Sequence, residues 1–166
     1  MKHLLSLAAF CAALLLAIAC NTPTAEKPAA PAAFDLTTAK KEIEEANRQF
    51  MDLVAKGDSV GLANAYTKDA KFMSAGAPAV AGRASIQTAM SGIIQSGITK
   101  ADIRLKEVFG TADLLAEEGE LTLFVQDQKV AEEKYIVLWK KEDGRWKLFR
   151  DIFNSNLPAP PAGSTK

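Results

Sequence analysis

The amino-acid sequence predicts an α+β domain in which three N-terminal helices cover one face of an antiparallel sheet. Three observations carry this. Apolar residues recur at helical spacing over most of positions 38–96, with one short strand between. After Gly97 the apolar period changes to two. Asp143-Gly144 then sits between two alternating runs, a strong two-residue hairpin signal. Helices first and strands afterwards mean segregated layers.

The first helix is expected over Thr38 to Lys56, where Ile43, Ala46, Phe50, Leu53 and Val54 form one stripe. Thr38 caps it, Glu42, Glu44 and Glu45 suit its positive end, and Gly57 stops it. Asp58 caps a second, shorter helix through about Tyr66, with Val60, Leu62 and Ala65 inward. Ala70 to Ser74 reads as a strand, and Gly76 to Gly82 as a small-residue turn around Pro78 and Val80. Arg83 to Ser96 is the third helix, turning Ile86, Met90, Ile93 and Ile94 inward. Ile103, Leu105 and Phe109 then alternate with Arg104 and Lys106. Leu114 to Val125 follows, with a bulge expected at Gly119. Val130 to Lys141 runs through Tyr135, Val137 and Trp139, and the last strand is Arg145 to about Asn154.

These elements place the domain at residues 34–157, enough for one real core. The N-terminal flank has another character. Met1-Lys2-His3 is positive, and Leu4 to Ala19 is almost wholly apolar. That run has the length of a signal h-region and is short for a membrane span. Leu16-Ala17-Ile18-Ala19-Cys20 resembles a bacterial lipobox, which makes residues 1–19 a signal peptide and Cys20 the lipidated first residue. Ala17-x-Ala19 also fits an ordinary signal-peptidase site, which would release a secreted protein. Residues 20–33, with Pro23, Pro28 and Pro31, read as a tether. Residues 158–166 read as a disordered tail. The expected location is the cell envelope, with the lipid as the sole membrane contact. Asn21 after the cysteine is compatible with outer-membrane sorting.

Twenty Lys and Arg balance twenty Asp and Glu, which argues against a nucleic-acid partner. His3 is the only histidine, and Cys11 and Cys20 are the only cysteines. Histidine is the usual proton carrier near neutral pH, and His and Cys are the usual zinc ligands. A Ser-His-Asp triad, a Cys-His pair, a His-bound metal and an internal disulfide are therefore excluded from the domain. No glycine-rich phosphate loop is present. Chemistry falls to carboxylates, Tyr, Lys, Arg or amides, and no cofactor is expected.

Three stretches carry a family resemblance. They are Lys56-Gly57-Asp58 with the helix to Tyr66, Ala81-Gly82-Arg83 before the third helix, and Gly144 to Ser155 in the closing strand. Over roughly Leu36 to Asn156 the chain resembles the superfamily of nuclear transport factor 2 and ketosteroid isomerase, the SnoaL-like proteins. The resemblance implies a cone-shaped fold, with a curved sheet wrapped around the helices and an apolar cavity within. Such domains include isomerases, cyclases, dehydratases, non-catalytic binders and assembly modules, so fold alone assigns no function.

Asp151 is the leading candidate for chemistry. Phe149, Ile152 and Phe153 surround it in sequence, and an apolar setting raises a carboxyl toward values useful in proton transfer. Ketosteroid isomerases, as the resemblance implies, use carboxylates in that way. In the competing reading Asp151 pairs with Arg150, Arg104 or Lys147. Tyr135 and Tyr66 are candidate hydrogen-bond donors to an enolate oxygen. Tyr66, Trp139, Phe50, Met73 and Asn154 are the candidate ligand contacts, against a core or strand-end role for each. Glu117, Glu118, Glu120, Glu132 and Glu133 read as a solvated strand edge.

Parity suggests a partner. Trp146, Leu148 and Ile152 are expected on one face of the last strand, with Phe149 and Phe153 on the other. Two apolar faces imply a covered outer face, and a second copy is the simplest cover, giving a homodimer through the sheet. Three functions remain open: binding of a small apolar or amphipathic ligand without catalysis, a cofactor-independent isomerase, dehydratase or cyclase, and a dimeric partner-binding module.

Overall fold

The computed structural model describes residues 33–157. The export segment, Cys20, nearly all of the tether and the tail lie outside the described residues. Helix α1 spans Leu36–Lys56, α2 Ser59–Asn64 and α3 Arg83–Gln95. The strands are β1 Tyr66–Met73, β2 Val80–Ala81, β3 Lys100–Gly110, β4 Leu115–Val125, β5 Gln128–Glu142 and β6 Arg145–Ser155. They form one sheet in the order β2-β1-β6-β5-β4-β3. The expected α+β class holds, but the sheet is mixed: β1 runs parallel to β6, and every other pair is antiparallel.

Helix α1 starts two residues before the expected Thr38, because Asp35 is the better cap. Its carboxylate accepts from the Thr37 and Thr38 amides at 3.0 and 3.3 Å, and from the Thr38 hydroxyl at 2.6 Å. Those hydrogen bonds hold the Asp35 carboxyl below its usual pKa. Gly57 ends α1 with φ 67°, and Asp58 caps α2 through the Gly61 amide at 2.8 Å, both as expected. Ile43, Leu62, Ile86 and Leu115 are fully buried where the helices meet the sheet.

Tyr66 opens β1 instead of closing α2. The Ala65 carbonyl accepts from the Leu148 amide at 3.0 Å, so pairing with β6 begins there. The polar run Thr67-Lys-Asp69 hid this strand start, since the ladder is irregular between Tyr66 and Lys71.

Two of the sheet's bulges decide which side chains face inward near Glu117 and Asp151. The first lies in β3, not at Gly119. Leu105 pairs with Gly119 and Glu107 with Glu118, leaving Lys106 as the extra residue. Parity flips there, so Val108 is buried while Phe109 is 48% exposed. The second lies in β6, where Trp139 pairs with Leu148 and Leu138 with Arg150, leaving Phe149 extra. Trp146 and Leu148 stay inward, but beyond the bulge Asp151 is buried and Ile152 is turned out. The expected grouping of Trp146, Leu148 and Ile152 on one face is therefore wrong. Without that extra residue, Asp151 would share the outer face.

The outer face is apolar in part. The Lys140 ammonium and the Arg150 guanidinium lie 4.1 and 3.6 Å from the Phe149 ring centroid and cover it. Ile136 and Ile152, cross-strand partners, stay 38% and 44% exposed.

Candidate functional site

Between the helices and the inner sheet face lies a cavity of about 460 Å³. Its walls are mainly aliphatic and aromatic, with Phe50 from α1, Met90 and Ile94 from α3, and Leu121, Leu123 and Phe153 from the sheet. That is the size and lining of a small-molecule site. Two hydrogen-bonded groups interrupt the apolar wall.

The first is Asp151 with Tyr66. The Tyr66 hydroxyl donates to Asp151 Oδ2 at 2.7 Å. Tyr66 is held in place at its backbone: Arg83 donates to the Tyr66 carbonyl through Nε at 3.1 Å and Nη2 at 2.6 Å. Arg83 Nη2 also donates to Glu142 Oε1 at 2.5 Å, and the Lys68 amide to Glu142 Oε2 at 2.9 Å. The Lys68 amide and the Arg83 and Lys147 cations hold the Glu142 carboxyl down at about 2. The α3 entry, β1 and the β5–β6 turn are thus tied together behind Tyr66.

Burial pushes the Asp151 carboxyl up to about 6. The Tyr66 hydrogen bond opposes this, while the Glu117 and Glu133 carboxylates add to it. None of the expected cationic partners is an ion-pair partner: Arg104 pairs with Asp102, Lys147 with Glu142, and Arg150 donates to the Asp69 and Phe149 carbonyls.

The second group centres on Glu117, which is 0% exposed. Asn47 Nδ2 and the Tyr135 hydroxyl donate to Oε1 at 2.6 and 2.7 Å, and Trp139 Nε1 donates to Oε2 at 2.8 Å. Burial raises the Glu117 carboxyl and these three donors lower it, with burial the larger effect. Gly119 makes the arrangement possible. It pairs with Tyr135 across the strands, and a Cβ there would fall on the Tyr135 ring and hydroxyl. Burial and Glu117 hold Tyr135 protonated, as burial and Asp151 hold Tyr66.

Of the candidate residues, Asp151, Tyr135, Tyr66 and Phe50 line the cavity. Trp139 does not line it; it is buried beneath Glu117 and borders a separate groove. Met73 is half-buried beside the lining residue Phe72, and Asn154 is exposed; neither reaches the wall.

The solvated-edge reading fails for Glu117, because β4 and β5 are interior strands. Glu118 does face solvent, and Glu120 and Glu132 pair with Lys106 and Lys129. Glu133 turns inward to the cavity, where burial raises its carboxyl. The missed residues left a trace. Asn47 is a polar residue inside the α1 stripe of Ile43, Phe50 and Val54, and Glu117 has the inward parity of Leu115 and Leu121.

The sequence pattern of the SnoaL-like domain family matches residues 47–149. A search of curated proteins finds no match. Solved structures share the fold. A domain of unknown function with a cystatin-like fold from Nostoc punctiforme superposes with TM-score 0.65 at 17% identity, over 75% of this chain and 81% of that one. A ketosteroid isomerase-like protein from Erwinia carotovora atroseptica gives 0.61 at 21%, over 75% and 100%. An NTF2-like protein from Novosphingobium aromaticivorans gives 0.60 at 16%, over 73% and 84%. With the family pattern spanning most of the domain and the same architecture around it, the chain belongs to the SnoaL-like domain family.

Proposed function

We propose that this domain binds a small apolar or amphipathic molecule in its cone, with Asp151 as the polar contact and without turning it over. The cavity itself carries the reading: about 460 Å³ of mostly apolar wall with a buried carboxyl set in it. Asp151→Asn keeps the shape and an acceptor for Tyr66 but removes the charge. We expect it to weaken a polar ligand at least tenfold, measured by calorimetry, with an unchanged fold; equal affinity would remove Asp151 from the site.

The same substitution has a sign-determined effect on stability. A carboxyl raised in the folded state adds stability that is complete below about pH 4 and lost as pH rises through about 6. The change is at most about 3 kcal/mol. Glu142 acts oppositely toward acid, but wild type and variant share it. Asp151→Asn should therefore gain on wild type in urea midpoint between pH 4 and 7.5. A constant difference would contradict a buried Asp151.

A cofactor-independent isomerase, dehydratase or cyclase is the second reading, favoured by a carboxyl near 6 beside a hydrogen-bond donor. The Tyr135 hydroxyl already donates to Glu117, so Asp151 would carry the proton. Hydrogen exchange from a cyclic enone in heavy water, lost at least a hundredfold in Asp151→Asn, would establish turnover; equal rates would exclude it.

Two further proposals concern setting. The exposed Ile136–Ile152 pair supports a two-fold dimer through the outer sheet face. Ile136→Glu should sediment as a monomer with wild-type melting, and a persistent dimer would refute that interface. Lipidation at Cys20 would hold the protein on the envelope membrane. Fatty-acid labelling that survives in Cys20→Ser would exclude this anchor.

A further inference from the structure

We infer that the cone selects an organic cation, a small amine on an apolar and preferably aromatic body, over neutral or anionic molecules of the same shape. This deepens the ligand-binding reading and rests on it.

Among the described residues three carboxyl groups reach the cavity wall, Glu117 from β4, Glu133 from β5 and Asp151 from β6, and no Lys, Arg or His side chain does. Their hydrogen bonding indicates their charge and their availability. Glu117 accepts from Asn47, Tyr135 and Trp139, and three donors on two oxygens suit the ionised form. Its negative charge has no cation beside it among the described residues. Asp151 is more than nine-tenths buried, and Tyr66 at Oδ2 is its one hydrogen-bond partner among the described residues. Oδ1 is left without one at the cavity wall. Glu133 Oε2 is also buried and has no partner among the described residues. Both tyrosine hydroxyls are committed to carboxylates.

Like charges in a weakly polar volume repel one another and any anionic guest. A cation relieves that repulsion and supplies the donors that Asp151 Oδ1 and Glu133 Oε2 lack. A bare metal ion is not matched, since among the described residues no three His, Cys, Asp or Glu side chains converge to hold one. An ammonium group on an apolar body is matched. Its body meets aliphatic wall and the lining rings of Phe50, Phe72 and Phe153.

The test uses three probes of one shape on the full-length chain at pH 7.5: 2-(1-naphthyl)ethylamine, 2-(1-naphthyl)ethanol and 1-naphthylacetate. We expect the amine to bind at least tenfold tighter than the alcohol, and the acetate at least tenfold weaker. The double variant Asp151→Asn, Glu133→Gln should bring amine and alcohol within about threefold of each other, chiefly through weaker amine binding. At pH 6 the amine should displace a proton from wild type, read as a binding heat that depends on the buffer, and not from the variant. Alcohol binding as tight as amine binding would overturn the inference and leave the apolar cone standing. Binding of none of the three would overturn both.

Discussion

Replacing Glu117 with alanine should lower the melting temperature by about 15 °C. The carboxylate is the shared acceptor of Asn47, Tyr135 and Trp139, whose donors have no other partner among the described residues. Each buried donor left unpaired costs about 1–3 kcal/mol, so three cost about 3–9, and a loss of about 4 kcal/mol, toward the low end, is expected. A domain of this size falls by about 4 °C for each kcal/mol. Glu117→Gln keeps the volume and one accepting oxygen, but its amide must face a donor, and about half the loss should remain. Thermal and urea unfolding of both variants checks this. A change below 1 kcal/mol in Glu117→Ala would mean that water satisfies the three donors.

Gly119→Ala should cost about 3 kcal/mol, a large effect for one methyl on an inner strand. The added carbon meets the Tyr135 ring and hydroxyl at a separation real contacts do not reach. Tyr135 is a rigid ring anchored to Glu117, so it must leave its hydrogen bond to make room. Overpacking costs about 1–3 kcal/mol, and a lost bond to a charged group adds about 1.5. Adding Tyr135→Phe removes the hydroxyl and relieves part of the clash. The two changes together should therefore be less costly than their sum, as a double-mutant cycle would measure. Strict additivity would contradict the proposed contact.

These two residues also mark where local sequence stops being legible. Helices α1 and α3 are visible because their apolar periodicity is written into consecutive residues, and so is the Asp143-Gly144 turn, with φ 54° and 74°. Gly119 signals irregularity, but its purpose is to admit a side chain from β5. The bulge belongs to the opposing strand. Likewise, which face Asp151 occupies depends on whether Phe149 is counted in or out of the ladder, and only the pairing of β6 with β5 settles that.

Glu117 was hidden differently. Its neighbours Glu118 and Glu120 are solvent or ion-pair residues, so an acidic run masks one buried member. Its donors come from 18, 22 and 70 positions away. The Asn47 interruption of the α1 stripe and the inward parity of Glu117 are the local clues that a buried polar pair exists in the fold. Asp151 and Tyr66 were legible as candidates. Their joining required the parallel pairing of β1 with β6, which an all-antiparallel meander does not contain.

The proposed site for a small molecule is the cone with Asp151 in its wall. Methyl NMR of the full-length chain titrated with 2-(1-naphthyl)ethylamine tests it most directly. Saturable shifts are expected, confined to the cavity methyls of Met90, Ile94, Leu121 and Leu123. Shifts centred on Ile136 and Ile152 of the outer face, or none up to the solubility of the probe, would contradict it.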